Sequence, residues 1–216
     1  MRLSLIGPGD IEFHYYEFLG WPKKKFESEL EKIAQAIAES RVEIELLPDK
    51  GISLELAKRY KKFSGKKVIG AVPKSDTTFG IKHLEEYLQL QSKGQNLFDR
   101  IIDTENWFKH NLIKGLLGDA ILYLGSSPGT DGELSYAVYL FKLLSGRKQG
   151  IEVAGKHIHP EIQARNDFTV FTYSPFLANK KLNLEQEAYL RRFNINLVYI
   201  ENPKQLRQEL ERFQSR

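Results

Sequence analysis

Cysteine is absent from the 216-residue chain. Disulfide staples, thiolate metal ligands and thiol nucleophiles are thereby excluded, and a reducing compartment is expected. Long apolar runs are missing as well. The N-terminal "MRLSLIGPGD" has too short an apolar part for a signal peptide, and no other stretch is long and apolar enough to cross a bilayer as a helix. The expectation is a cytoplasmic protein with no membrane partner. An excess of one charge is also lacking, since 32 basic and 28 acidic residues leave a formal +4. The densest basic clusters, "WPKKKF" and "RYKKFSGKK", abut predicted helices and read as solvated faces. With no recognition motif beside them, nucleic-acid binding is the weakest of the functional readings.

What the chain does contain is ordinary for a globular protein: 41% hydrophobic and 28% charged residues. Its pattern alternates. "LSLIG", "VEIELL", "KKVIGAVP", "LFDRIID", "AILYLG", "GIEVAG", "DFTVFTYSPF" and "INLVYI" read as strands. Between them, helical spacing runs from Phe26 to Ala38 and through "ISLELAKRYKKF", "IKHLEEYLQLQ" and "NWFKHNLIKGLLG", then from about Asp131 to Ser145. Asn183 followed by Gln186 opens another helix, and Asn202 with Pro203 opens a last one carrying Leu206, Leu210 and Phe213 on one face. This alternation predicts an α/β fold, a Rossmann-like doubly wound, mostly parallel sheet with helices on both faces. One domain over residues 1–216 is expected, with 156–216 extending it. In such sheets ligands bind at the carboxyl ends of the strands, so the turns at Gly7, Pro48, Pro73, Asp103 and Gly125 are expected along one edge.

The turn "GSSPGTDGE", from Gly125 to Glu133, holds few large side chains. A loop of small residues entering a helix exposes N–H groups to an anion, usually a phosphate. It is equally the form of a tight strand-to-helix turn. Thr130 and Glu133 stand at capping-box spacing, which accounts for both without a ligand.

Here a resemblance enters. "SSPGTDGE" is similar to the P-G-G-x-G-T-x-x-E motif of the lysine-decarboxylase-like, or "lonely guy", family within the SLOG group of Rossmann-like domains. Gly129, Thr130 and Glu133 match G-T-x-x-E, while Ser126 and Ser127 replace glycines. "LIGPG", with Gly7, Pro8 and Gly9, resembles the first turn of the branch related to molybdenum-cofactor carriers, and "VIGAVP" resembles a further family strand. "KHN", containing His110 and Asn111, aligns with the family's Arg or Arg-Asn segment. The resemblance spans roughly residues 1–155. It implies a phosphorylated, nucleotide-derived ligand held by Gly7, Pro8, Gly9, Gly51, Asn111, Gly125, Ser126, Ser127, Gly129 and Thr130, and a homo-oligomer.

The family cleaves the N-glycosidic bond of nucleoside 5′-monophosphates through its motif Arg and Glu, which makes Glu133 and His110 the candidate catalytic pair. A carboxylate stabilises the sugar cation, and a helix N-terminus would hold Glu133 ionised. A neutral imidazole, however, cannot replace a bidentate guanidinium. The glycine-rich stretch after the second strand is reduced to "LPDKGIS", keeping only Gly51. A carrier or sensor that binds without turnover is therefore the leading reading, and the hydrolase is the alternative. No metal is expected, because His157 and His159 stand two apart with no third ligand in view. His14, Tyr15 and Tyr16 lie near the expected edge as base-stacking or packing residues, Asp10 and Asp103 as ribose or turn acids, and Trp107 as core or pocket wall.

Overall fold

Parallel strands covered on both faces must be apolar on both faces, and the two most apolar runs obey this. Every residue of Val68–Val72 and of Ala120–Tyr123 is buried. The computed structural model describes residues 1–145, 158–162 and 167–215. Its strands are β1 (Arg2–Ile6), β2 (Glu43–Leu46), β3 (Val68–Val72), β4 (Gln91–Ser92), β5 (Gln95–Asn96), β6 (Arg100–Asp103), β7 (Ala120–Tyr123), β8 (Thr169–Tyr173) and β9 (Asn196–Ile200). Among the described residues seven strands form one sheet, ordered β6-β3-β2-β1-β7-β8-β9, and each pairs in parallel with its neighbours. The sheet is a parallel α/β sheet of Rossmann type, and β8 and β9, from the C-terminal part of the chain, continue it.

The helices are α1 (Lys23–Glu39), α2 (Ile52–Lys62), α3 (Glu85–Leu88), α4 (Trp107–Ile113), α5 (Pro128–Leu144), α6 (Leu184–Arg192) and α7 (Pro203–Gln214). In α1 the periodic Phe26, Leu30, Ile33, Ala34 and Ile37 are buried, and the Lys and Glu residues between them face outward. With α2 and α7 it covers Leu3, Leu5, Ile44, Leu46 and Phe171. On the opposite face α4, α5 and α6 cover Ile6, Ala71, Ile121, Tyr123 and Val170. Asn183 caps α6 in a capping box with Gln186, and Asn202 caps α7 ahead of Pro203, as their spacing predicts.

Two expectations need correction. "IKHLEEYLQLQ" makes only a 3₁₀ turn (Lys82–Leu84) and α3 before turning into the β4–β5 hairpin. Lys93 and Gly94 adopt φ of 53° and 75°, the two positive values of a type I′ turn, and the tight turn wins over the helical pattern. The helix expected from "NWFKHNLIKGLLG" closes as α4 and a separate 3₁₀ turn, Lys114–Leu116. The stretch "EFHYYEF" forms a π-helical segment, Glu12–Phe18, that periodicity at 3.6 residues does not reveal. The strand expected from "GIEVAG" lies outside the described residues.

Candidate functional site

Because the strands run in parallel, Gly7 after β1, Pro73 after β3, Asp103 at the end of β6 and Gly125 after β7 lie along one edge. The order of strands reverses between β1 and β7, which makes their carboxyl ends the topological switch point. The chain fills that crevice itself. A Cβ on Gly125, at φ 150°, would stand 2.8 Å from His14 Nε2, 3.0 Å from the Tyr15 hydroxyl and 3.1 Å from Pro8 Cδ. The Tyr15 hydroxyl donates to the Leu124 carbonyl at 2.7 Å, and His14 Nε2 donates to the Phe176 carbonyl at 3.3 Å. Burial lowers the His14 pKa against the smaller opposing pull of that carbonyl and of Asp131. Gly51 has the same explanation. At φ 128°, its Cβ would lie 2.6 Å from Gly9 Cα and 2.7 Å from the Pro8 carbonyl oxygen. Gly7 would meet Ile52 at 2.3 Å.

Beside the plug, the Gly125–Glu133 turn is built differently from its sequence spacing. Ser127 is the N-cap of α5, with backbone φ −155° and ψ 164°, and Pro128 takes the first helical position. The Thr130 N–H donates to Ser127 Oγ at 3.3 Å, and the two hydroxyls are 2.6 Å apart. Thr130 is thus inside the helix, and Glu133 is too far along it to close a capping box. Two residues missed by sequence reasoning complete the turn. The Asp131 carboxylate accepts from Ser126 Oγ at 2.7 Å, from Gln186 Nε2 at 3.2 Å and from the Tyr123 hydroxyl. Asp131 was legible as a first-turn acid, whereas Gln186 comes from α6 and no local spacing points to it. Gly129 is exposed and a Cβ there would meet nothing within 4 Å. Packing does not explain this glycine.

Under α4 and α5 lies a buried polar cluster. Ser4 and Glu45 are register partners on β1 and β2, and Ser4 Oγ donates to Glu45 Oε2 at 2.8 Å. Lys114 Nζ donates to the same oxygen at 3.1 Å and to the Leu5 carbonyl at 3.2 Å. Both partners of this ion pair are shut off from solvent. His110 is fully buried, with Nδ1 3.0 Å from Thr104 Oγ1. Neither His110 Nε2 nor Glu45 Oε1 has a hydrogen-bond partner. Burial, aided by the Lys114 charge, lowers the His110 pKa to about 3, so the imidazole is neutral. Glu133, partly buried, has its carboxyl pushed up to about 7 by desolvation, with Lys114 opposing and Glu45 adding to the rise. The expectation that a helix N-terminus holds Glu133 ionised is therefore overturned, because desolvation outweighs the dipole beyond the first turn.

No family model matches the chain, and no curated protein matches it significantly. Solved structures do. The molybdenum cofactor carrier protein of Chlamydomonas reinhardtii aligns over 100% of this chain and 98% of its own, at 12% identity and a TM-score of 0.55. The molybdenum cofactor binding protein of the phototrophic bacterium Rippkaea orientalis aligns over 98% and 96%, at 14% identity and a TM-score of 0.54. The chain shares the fold of these two proteins.

On that fold the remaining candidates separate into scaffold and surface. Asp10 accepts the Phe13 N–H at 3.0 Å and so starts the π-helical segment. Asp103 accepts the Lys74 and Glu105 N–H groups at 3.0 and 2.8 Å and the Ser75 hydroxyl at 3.1 Å, tying two edge loops together. His159 donates from Nε2 to the Asp103 carbonyl at 2.8 Å and accepts the Glu161 N–H at Nδ1, 3.1 Å away. Its two nitrogens are occupied, His157 lies outside the described residues, and no group of three metal-ligating side chains occurs among the described ones. Asn111 is exposed on α4. Tyr16 packs edge-on against Phe26 and, with Gly9, Gly51, Lys50 and Tyr87, borders a cleft of about 570 Å³ between α1 and α2. Of the cations lining that cleft, Lys58 and Arg59 are both paired with Glu55. No described helix is long and apolar enough to cross a membrane.

Proposed function

We propose that this protein binds a phosphorylated, nucleotide-derived small molecule at the carboxyl edge of its sheet, on the Ser126–Thr130 turn, and carries or presents it without cleaving it. One observation carries the choice between binder and hydrolase. The residue aligned with the motif Arg, His110, is sealed from solvent as a neutral ring. It supplies neither a fixed cation for a phosphate nor a proton for a leaving base near neutral pH. Glu133, with a value of about 7, is about half protonated at neutrality and so is a weakened stabiliser of a sugar cation. An edge without a fixed cation or a ready proton donor is better suited to hold a ligand than to turn one over.

The open space around Gly129, the hydroxyls of Ser127 and Thr130 and the N-terminus of a 17-residue helix support the phosphate position. The molybdenum cofactor proteins sharing this fold support carriage as the role. The homo-oligomer implied by the resemblance and a cytoplasmic setting belong to the same reading.

Calorimetric titration with nucleoside 5′-monophosphates, ADP-ribose, NAD and pterin phosphates tests it, with light scattering on the same samples for the assembly. Binding of at least one compound, with no free base released, is the expected result. Gly129→Val should weaken that binding about tenfold while leaving the thermal midpoint in place, since its side chain meets only the ligand's space. Free base that appears with the wild type and vanishes in Glu133→Gln would establish the hydrolase instead.

A further inference from the structure

Helices α5 and α6 follow β7 and β8 in an all-parallel sheet and so run in the same sense. A trough of about 470 Å³ lies between them, within the size range of small-molecule sites. Its buried walls are apolar: Leu134 and Val138 from α5, and Leu190 from α6. Tyr139 and Tyr189 stand on the rims, 53% and 59% exposed. The two ends differ in charge. Near the start of the helices Gln186 Nε2 donates to Asp131 at 3.2 Å, with Asn183 and the acid Glu185 beside them. At the other end the Lys142 ammonium lies 5.1 Å from the centre of the Phe193 ring, which stacks on Tyr189. Among the described residues Lys142 forms no ion pair.

The sheet below supplies an independent observation. Tyr123, Thr172 and Tyr199 are register partners on β7, β8 and β9 and point to one face. The outer two reach the helices. The Tyr123 hydroxyl donates to Asp131 of α5, and the Tyr199 hydroxyl donates to Glu187 of α6. Thr172 stands between them and is therefore aimed at the gap between the two helices. It is fully buried, and its Oγ1 has no hydrogen-bond partner. A buried hydroxyl in that state calls for a polar group from outside the fold.

We propose that the trough between α5 and α6 binds an elongated amphiphilic monocarboxylate. Its carboxylate lies on Lys142, its apolar body along Leu134, Val138 and Leu190, and a neutral hydroxyl or amide at the Thr172 end. Charge selects this occupant. Lys142 offers an unpaired cation, and a charge-assisted hydrogen bond is roughly twice as strong as a neutral one. Asp131 and Glu185 repel a second anion at the opposite end, so the far group is uncharged. From Asp131 to Lys142 the helix rises about 16 Å, the reach of a medium-length chain. The site lies on the helical face of the sheet and does not rest on the carrier reading.

Calorimetric titration of the full chain with decanoate, ω-hydroxydecanoate, decanol and decylamine tests it. Decanoate is expected to bind about tenfold more tightly than decanol, with decylamine the weakest. The ω-hydroxyl should add affinity severalfold, and Thr172→Val should remove that gain while leaving decanoate unchanged. Lys142→Gln should bring decanoate down to the affinity of decanol. Ser135 lines the trough and is exposed, so Ser135→Trp should fill the space and abolish binding of every compound. Tyr136, exposed on α5 outside the trough, provides the control: Tyr136→Ala should change nothing. Circular dichroism checks the folding of each variant. Equal affinity for decanoate and decanol, an advantage that survives Lys142→Gln, a hydroxyl gain that survives Thr172→Val, or no binding at all overturns the proposal. Light scattering that shows wild-type chains joined and Ser135→Trp chains separate overturns it too, because the trough then belongs to an interface between copies.

Discussion

Beneath α1, α2 and α7 the sheet buries Leu3, Leu5, Ile44, Leu46 and Phe171, whereas beneath α4 and α5 the same strands turn Ser4 and Glu45 inward to meet Lys114. On the first side buried hydroxyls reach backbone and carboxylate oxygens alike: the Tyr60 hydroxyl donates to the Val42 carbonyl at 2.6 Å, and the Tyr173 hydroxyl donates to Glu29. On the second side Glu45 Oε1, His110 Nε2 and Thr172 Oγ1 are buried without a hydrogen-bond partner. Area burial stabilises the first side at about 25 cal/mol per Å². A buried ion pair returns little net stability over an apolar replacement of the same volume. The difference bears on the proposed site. The polar side carries the candidate residues Gly129, Asn111 and Glu133, and the buried ion pair lies beneath them.

The largest expected effect breaks this contrast at its centre. Glu45→Ala strands the Lys114 ammonium in the interior and should lower unfolding free energy by about 3–5 kcal/mol. Glu45→Leu combined with Lys114→Met removes both charges and should recover most of that loss in urea unfolding. On the aliphatic side Leu5→Ala should lose about 2–5 kcal/mol through its cavity, with no charge partner whose removal restores it. A double variant on the polar side as unstable as the single one would show that the two sides do not differ in kind.

Next in size is the pH response of Glu133. Its folded-state value of about 7 lies above the ordinary 4.5. Between those values the native state keeps a proton that the unfolded chain has lost, so stability falls as pH rises through this window. Glu133→Gln should flatten that slope and stabilise the protein at pH 8 by about 1–3 kcal/mol. Thermal midpoints from pH 4 to 8 read it directly. A wild-type slope unchanged in the variant would place the titration on another group.

The smallest effect compares helix starts. Helices α1 and α5 are both 17 residues long, but α1 begins at Pro22 without a side-chain cap, whereas Ser127 caps α5. Ser127→Ala should therefore lower stability by about 1 kcal/mol, measurable by the same unfolding curves, and no single-residue truncation at the start of α1 has an equivalent to remove.

The chain's own residues determine the alternation of strands and helices, the parallel sheet and the edge holding Gly7, Pro73 and Gly125. Each follows from local periodicity, turn residues and the full burial that parallel strands demand. The caps at Asn183 and Asn202 are local too, and so were legible. The start of α5 was not, because Ser126, Ser127 and Thr130 all offer a hydroxyl and only the backbone conformation of Ser127 selects the cap. Tertiary structure alone decided that Gly7, Gly51 and Gly125 serve chain packing while Gly129 stays open. It also joined Gln186 to Asp131, Lys114 to Glu45 and the Asp76 loop to Trp107. The physical reason is distance along the chain. Contacts between residues dozens of positions apart depend on strand order and register, and those are set by the assembled core rather than by any spacing within a segment.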